Sequence, residues 1–137
     1  MAYEGYQLCI PGLVSGEDLS ATTAQYKFVK LSADRTVVLC TGATDVPIGV
    51  LQAPTPTAVY PQAVTVCSCG ITKLRADASL TYGNAIGTSA DGEADAKTVG
   101  VDTTEYIVGQ VLEVAGGTTA GNYITAVIDC ASPRRAS

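Results

Sequence analysis

The chain has 137 residues, five cysteines, no histidine and no tryptophan, and eight basic against thirteen acidic residues give a net charge of −5. That length suits one domain, or two small lobes sharing a core, and it buries about two-thirds of the surface of the unfolded chain, so neither metal nor disulfide is needed for folding. The acidic balance, with Arg134-Arg135 the only adjacent basic pair, argues against a nucleic-acid partner, and no apolar run approaches the ~20 residues that span a bilayer.

Val, Ala, Leu and Ile supply most of the apolar content, interleaved with Thr and Gly, a texture that favours strands and tight turns. The start Met1-Ala2-Tyr3-Glu4 has neither the positive charge nor the apolar stretch of a signal peptide, and the expectation is a protein made and used in a cytoplasm.

Residues 1–24 read as an irregular N-terminal arm or a first edge strand, broken at Pro11-Gly12 and Ser15-Gly16. Tyr26 to Leu31 reads as a strand, Ser32-Ala33-Asp34-Arg35 as a turn, and Thr36 to Cys40 as the hairpin partner. A second turn, Thr41 to Asp45, leads to Val46 to Leu51. Beyond the proline-containing loop 53–57, Ala63 to Cys67 alternates as a strand. Cys69 to Leu74 continues it past a bend at Gly70. Ala76 to Tyr82 is the single place for a helical turn, with Asp77 as cap and Gly83 as stop. Asp91-Gly92 signals a type I′ hairpin, in which both central residues take positive φ. Gly116-Gly117 and Gly121-Asn122 mark a tight connection before the last strand.

The second half repeats the first. Ser32-Ala33-Asp34 recurs as Ser89-Ala90-Asp91, Ile48-Gly49-Val50-Leu51 as Val108-Gly109-Gln110-Val111-Leu112, and Ala63 to Val66 as Ile124 to Ile128. The order is the same and the offset is about 57 to 60 residues. The expected fold is therefore all-β: a compact barrel or sandwich of two pseudo-repeated units, about 25–75 and 80–130, within a body spanning 25–137. One such unit alone could not bury its apolar face.

The chemistry on offer is sparse. Without histidine there is no usual general base and no Ser-His or Cys-His pair. No catalytic residue, cofactor site or metal site is expected. On a regular strand Cys67 and Cys69 would share a face with Cα atoms about 6.6 Å apart, poor geometry for a disulfide. The free cysteines read as small buried hydrophobes. Asp91, Glu93 and Asp95 read as a solvated hairpin tip, since the calcium-loop pattern lacks its closing Glu.

The ordered run of Tyr26-Lys27-Phe28-Val29-Lys30-Leu31-Ser32-Ala33-Asp34 and Val46-Pro47-Ile48-Gly49-Val50-Leu51-Gln52 resembles the bacteriophage head-decoration, or capsid cement, family. So do Ala63 to Val66 with Gly70 to Lys73, Ala90 to Ala94, Tyr106 to Glu113 and the ending Ser132-Pro133-Arg134-Arg135-Ala136-Ser137. The likeness covers about residues 24 to 137. It implies a non-enzymatic virion protein, made in the bacterial host cytoplasm, that sits as a homotrimer on the outer capsid surface. There it bridges copies of the major capsid protein and stabilises the shell. The arm residues Tyr3, Tyr6, Leu8 and Ile10, and the tail pair Arg134 and Arg135, are the candidate contacts. The alternative expectation is a β-sandwich module on a phage tail or fibre that recognises a host surface ligand.

Overall fold

A computed structural model describes residues 2, 4–114 and 121–137. Among these residues twelve strands follow one another: β1 (Gln7–Cys9), β2 (Val14–Ser15), β3 (Phe28–Ala33), β4 (Thr36–Leu39), β5 (Gly49–Leu51), β6 (Val66–Arg75), β7 (Ala85–Thr88), β8 (Ala94–Ala96), β9 (Tyr106–Ile107), β10 (Gly109–Glu113), β11 (Tyr123–Asp129) and β12 (Arg134–Arg135). The fold is all-β; among the described residues the sole helical element is a single 3-10 turn over Thr22–Ala24.

Ten strands make one sheet, whose main path runs β2-β4-β3-β5-β6-β11-β10-β7-β8, with β1 added to β6. Its centre is the long antiparallel pair of β6 and β11, registered from Tyr123 opposite Arg75 to Asp129 opposite Cys69. Outward from β6 come β5, β3 and β4; outward from β11 come β10, β7 and β8. Two of the three echoed pairs thus take equivalent places on either side, whereas Ala63 to Thr65 precede β6 and their echo lies within β11. Ser-Ala-Asp lies at the turn of β3–β4 and again at that of β7–β8. In β5 and β10 the echoed glycine does the same job. A Cβ on Gly49 would stand 2.5 Å from the Cys67 carbonyl oxygen, and one on Gly109 would stand 2.6 Å from that of Val127. Each glycine lets its strand lie close to the central pair.

The sheet is curled, and its inner face holds the larger core: Phe28, Val50, Cys67, Leu74, Ile86, Val111, Ile124 and Ile128, with Cys40 and Cys130. Hairpin β7–β8 folds back over β3, where the Phe28 N–H donates to the Gly92 carbonyl at 2.7 Å. No strand ladder joins β2 to β8 among the described residues, so the sheet is not closed into a barrel, one of the two forms expected. A second core lies across β3–β4–β5 from the first. Neighbours divide between them by alternation, Phe28 and Val50 in one, Val29 and Leu51 in the other.

Leu13, Leu19 and Ala24 cover that second core. The lead-in is therefore folded onto the sheet: β1 runs antiparallel along β6 and β2 parallel to β4. Pairing satisfies its backbone groups and burial holds it, as for any edge strand.

Two local expectations change. Residues 76–82 form no helix, because the Ala76 and Asp77 N–H groups donate to Asn122 (2.8 Å) and Ala94 (2.9 Å), which keeps the segment extended where a first turn would begin. At the β7–β8 hairpin only Gly92 has positive φ (78°), so the turn is not type I′. Ser89 N–H donates to Glu93 O and closes a three-residue loop that ends in a left-handed glycine. Gly116-Gly117 lies outside the described residues, whereas Gly121 takes φ 85° at the start of the final strand pair.

The turn after β4 is held by one carboxylate. Asp45 Oδ2 accepts from Lys30 Nζ (2.8 Å) and from the backbone N–H groups of Thr41 (2.9 Å) and Gly42 (3.0 Å). Burial alone would raise its pKa, but these hydrogen bonds and the Lys30 charge outweigh it and hold the carboxyl below its ordinary value. A lowered native pKa contributes stability above the unfolded value of ~4, and that contribution is lost as pH falls through the native one. Asp45→Asn is expected to cost about 1 kcal/mol at pH 7 and progressively less towards pH 2. Urea unfolding of both proteins at pH 7, 4 and 2.5 checks this; a pH-independent difference would mean that shape, not charge, matters at this turn.

Candidate interaction surface

The outer face of the central strands carries side chains that the core does not use. On β11, Ile124, Ala126 and Ile128 point inward, so Tyr123, Thr125, Val127 and Asp129 lie on the other face, where Thr125 is nonetheless fully buried. Their direct neighbours on β6 are Arg75, Lys73, Ile71 and Cys69. The row through Val127 is apolar for three strands. Val127, 38% exposed, faces Ile71, and the Ile71 N–H donates to the Tyr6 carbonyl at 2.9 Å. Tyr6 is 81% exposed. Leu8, at 56%, lies one row on, opposite Cys69.

Next to this stripe the chemistry becomes cationic and aromatic. Tyr26 and Tyr123 meet edge to face at 5.4 Å, Lys73 Nζ lies 5.6 Å from the Tyr26 ring centre, and the Arg75 guanidinium lies 5.6 Å from that of Tyr123. Each such contact is worth about 0.5–1 kcal/mol at an exposed site. Burial first, then a hydrogen bond and charge from Glu4, push the Tyr26 hydroxyl up to about 12. It is a neutral phenol at any physiological pH.

On the other flank a shallow groove of about 280 Å³ begins at Val127 and Gln110 and runs past Asp129 and Ser132 to Arg134. Its far wall is the second, two-stranded sheet, in which Arg134 pairs with Ile107 and Arg135 with Tyr106. The tail is anchored there. Ala136 is fully buried; its N–H donates to Glu105 O (3.0 Å) and its carbonyl accepts from Gly100 (2.7 Å).

Of the residues singled out in the sequence, Tyr6, Leu8 and Arg134 are thus brought to one continuous surface, although they come from opposite ends of the chain. Ile10 is turned the other way, half-buried against the second core. Arg135 is folded back on its own chain, 5.4 Å from the Tyr106 ring centre. Tyr3 lies outside the described residues. Val127 and Ile71, which join the two ends, were missed; an apolar residue on the outer parity of an amphipathic strand was the available signal.

The acidic tip is differently composed than expected. Asp77 joins Asp91 and Glu93, their carboxylates within 4.8 Å, and Glu93 also takes Arg75 at 3.3 Å. Asp95 instead pairs with Lys97 at 3.0 Å.

The thiols depart from the regular-strand picture. Cys67 and Leu74 lie in the same core although seven residues apart, so β6 switches faces between them. The switch falls at the bulge opposite Leu8 and Cys9, with Gly70 at φ 124°. Cys69, opposite exposed Leu8 and Asp129, is therefore on the outer face and Cys67 on the inner one. Burial pushes the Cys40 thiol up to about 12 and the Cys67 thiol up to about 11, and raises Cys130 further. All three shifts run opposite to those of an activated thiolate.

No protein-family model matches this sequence, and the search of curated proteins finds no similar chain.

Proposed function

We propose that this protein is a structural component of a bacteriophage particle, a decoration or cement protein on the outer face of the icosahedral head. It binds there as a homo-oligomer, in the manner of the trimeric family that its sequence resembles, and bridges neighbouring major capsid protein subunits. The observation that carries this reading is the stripe of exposed Tyr6, Leu8 and Val127 with half-buried Ile71 between them, continuous with the groove that ends at Arg134. Apolar and aromatic side chains with an arginine at the edge are what interface centres are enriched in. A guanidinium at the rim suits carboxylates on an acidic shell. Several identical stripes on one oligomer would add modest affinities into firm attachment.

The test is quantitative mass spectrometry of gradient-purified particles, with this chain counted against the major shell protein. A ratio between about one third and one is expected for a symmetric cement layer. A few copies per particle would place the protein on a tail or fibre instead, and its absence would discard the reading. In particles carrying Leu8→Glu, a change at a 56% exposed position, occupancy is expected to fall at least ~10-fold in a dilution series, while the melting temperature stays within a few degrees. Unchanged occupancy would remove the stripe from the interface.

A further inference from the structure

We propose that Cys9 and Cys67 form an oxidation site, a dithiol that a small-molecule disulfide converts into a cross-strand disulfide locking the first strand onto β6. The inference is independent of the proposed function and rests on register. Cys9 and Cys67 are direct partners in the antiparallel β1–β6 pair. Just beyond them the Ile10 N–H donates to the Val66 carbonyl at 3.1 Å. That bond makes Cys9–Cys67 the non-hydrogen-bonded type of pair, with side chains on one face and Cα atoms typically ~4.5 Å apart. Disulfides span Cα separations of about 4.4–6.8 Å, so the two thiols can be joined without moving either strand.

The two sulfurs differ in a way that orders the chemistry. Cys9 is exposed and Cys67 is fully buried at the rim of the main core. Burial, then the neighbouring Cys9, hold the Cys67 thiol up near 11, so it is not the group that attacks first. The Cys9 thiolate attacks one sulfur of the oxidant, taken here as glutathione disulfide. An S–S bond forms to Cys9 while the oxidant's own S–S bond breaks, and one glutathione thiolate leaves. Cys67 gives up its proton and attacks the Cys9 sulfur of the mixed disulfide, expelling the second glutathione. Two protein thiols are oxidised and one glutathione disulfide is reduced to two thiols. The remaining cysteines are placed out of this exchange. Cys69 faces outward opposite Leu8, and Cys40 and Cys130 are buried with raised thiols.

The product would close a loop over residues 10–66, long enough for a substantial restriction of the unfolded chain. It would also fasten β1, and with it Tyr6 and Leu8, to the sheet.

The experiment uses the full chain, reduced, desalted and incubated with glutathione disulfide at pH 8, then acid-quenched. The expected product is an intact protein two hydrogens lighter, with a Cys9–Cys67 link in non-reducing peptide maps. Its melting temperature should rise by on the order of 10 °C and return on addition of dithiothreitol. Cys9→Ser should abolish the link and the shift; Cys69→Ser should keep both. Arrest as a glutathione adduct on Cys9, a Cys9–Cys69 link, or a disulfide-bonded dimer would each overturn the proposal.

Discussion

Lys97→Ala is expected to destabilise the protein by about 3 kcal/mol, lowering its melting temperature by on the order of 10 °C. The Lys97 side chain is completely buried, and its Nζ donates to Thr88 O at 2.9 Å, to Asp95 Oδ2 at 3.0 Å and to Glu105 Oε1. Removing the ammonium leaves the Thr88 carbonyl unpaired in the core and the Glu105 carboxylate, only 18% exposed, without its counter-charge. Leaving one partner of a buried pair behind costs far more than the pair contributes net. Asp95, 34% exposed, can turn to water and adds little. The damage should spread in a defined direction. The Glu105 backbone carbonyl receives the Ala136 N–H, so the two-stranded sheet of β9 and β12 is tied to the main sheet partly through this ion pair. Thermal unfolding measures the total, and hydrogen exchange at Ala136 and Gly100 reports the local part. Lys97→Met restores the packing of the stem but not the charge, and should recover less than half of the loss. A Lys97→Ala variant melting within ~2 °C of the parent would mean that water solvates the pair.

This buried cation was not readable from its neighbourhood. Asp91, Glu93 and Asp95 precede Lys97 within seven residues, and such a run ordinarily marks a solvated tip. Of that run only Asp91 is exposed: Gly92 is buried and the Glu93 side chain is 15% exposed, and the chain turns at Gly92 and brings Lys97 back under β7, where Gly87 leaves room for its stem; a Cβ there would stand 3.0 Å from Lys97 Cε. The signal is one of packing between residues ten apart, and alternation cannot carry it.

Alternation and repetition did reach most of the fold. The period-2 pattern of 28–31 and 36–39 leads to the β3–β4 hairpin, and two of the three echoes at an offset near 60 residues lead to matching places around the β6–β11 pair. The misplaced thiol has a local cause. Where the chain departs from a regular strand, as at Ser68 to Gly70, every later residue changes face. A regular-strand reading therefore puts Cys67 and Cys69 together. The lead-in was open between arm and edge strand because short strands owe their stability to a partner, here β6 and β4, that lies far away in sequence.

Gly70→Ala is the second large effect expected, and it bears on the proposed surface. Gly70 has φ 124°, a region closed to residues with a Cβ. Its Cβ would also run into the Tyr6 carbonyl oxygen and stand 2.9 Å from Gln7 Cα, so both obstacles are backbone and neither can swing aside. Strain and collision together should cost about 3 kcal/mol or more, relieved chiefly by release of β1 from β6. Gly83→Ala is the control: φ is 85° but nothing lies within 4 Å of the new Cβ, and the expected cost is only about 1–2 kcal/mol. In Gly70→Ala the Ile71 and Ile10 amides, bonded to Tyr6 and Val66 in the parent, should exchange at least ~100-fold faster, with the β10–β11 amides little changed. Because Tyr6 and Leu8 leave the stripe together with β1, this variant should lose shell occupancy as fully as Leu8→Glu, without any change in the chemistry of the stripe itself. If β1 is released and occupancy is unaffected, attachment runs through Val127 and the Arg134 groove alone. If β1 stays in place, with Ile71 protected as before, the close approach of Gly70 to Tyr6 is not what fixes the first strand.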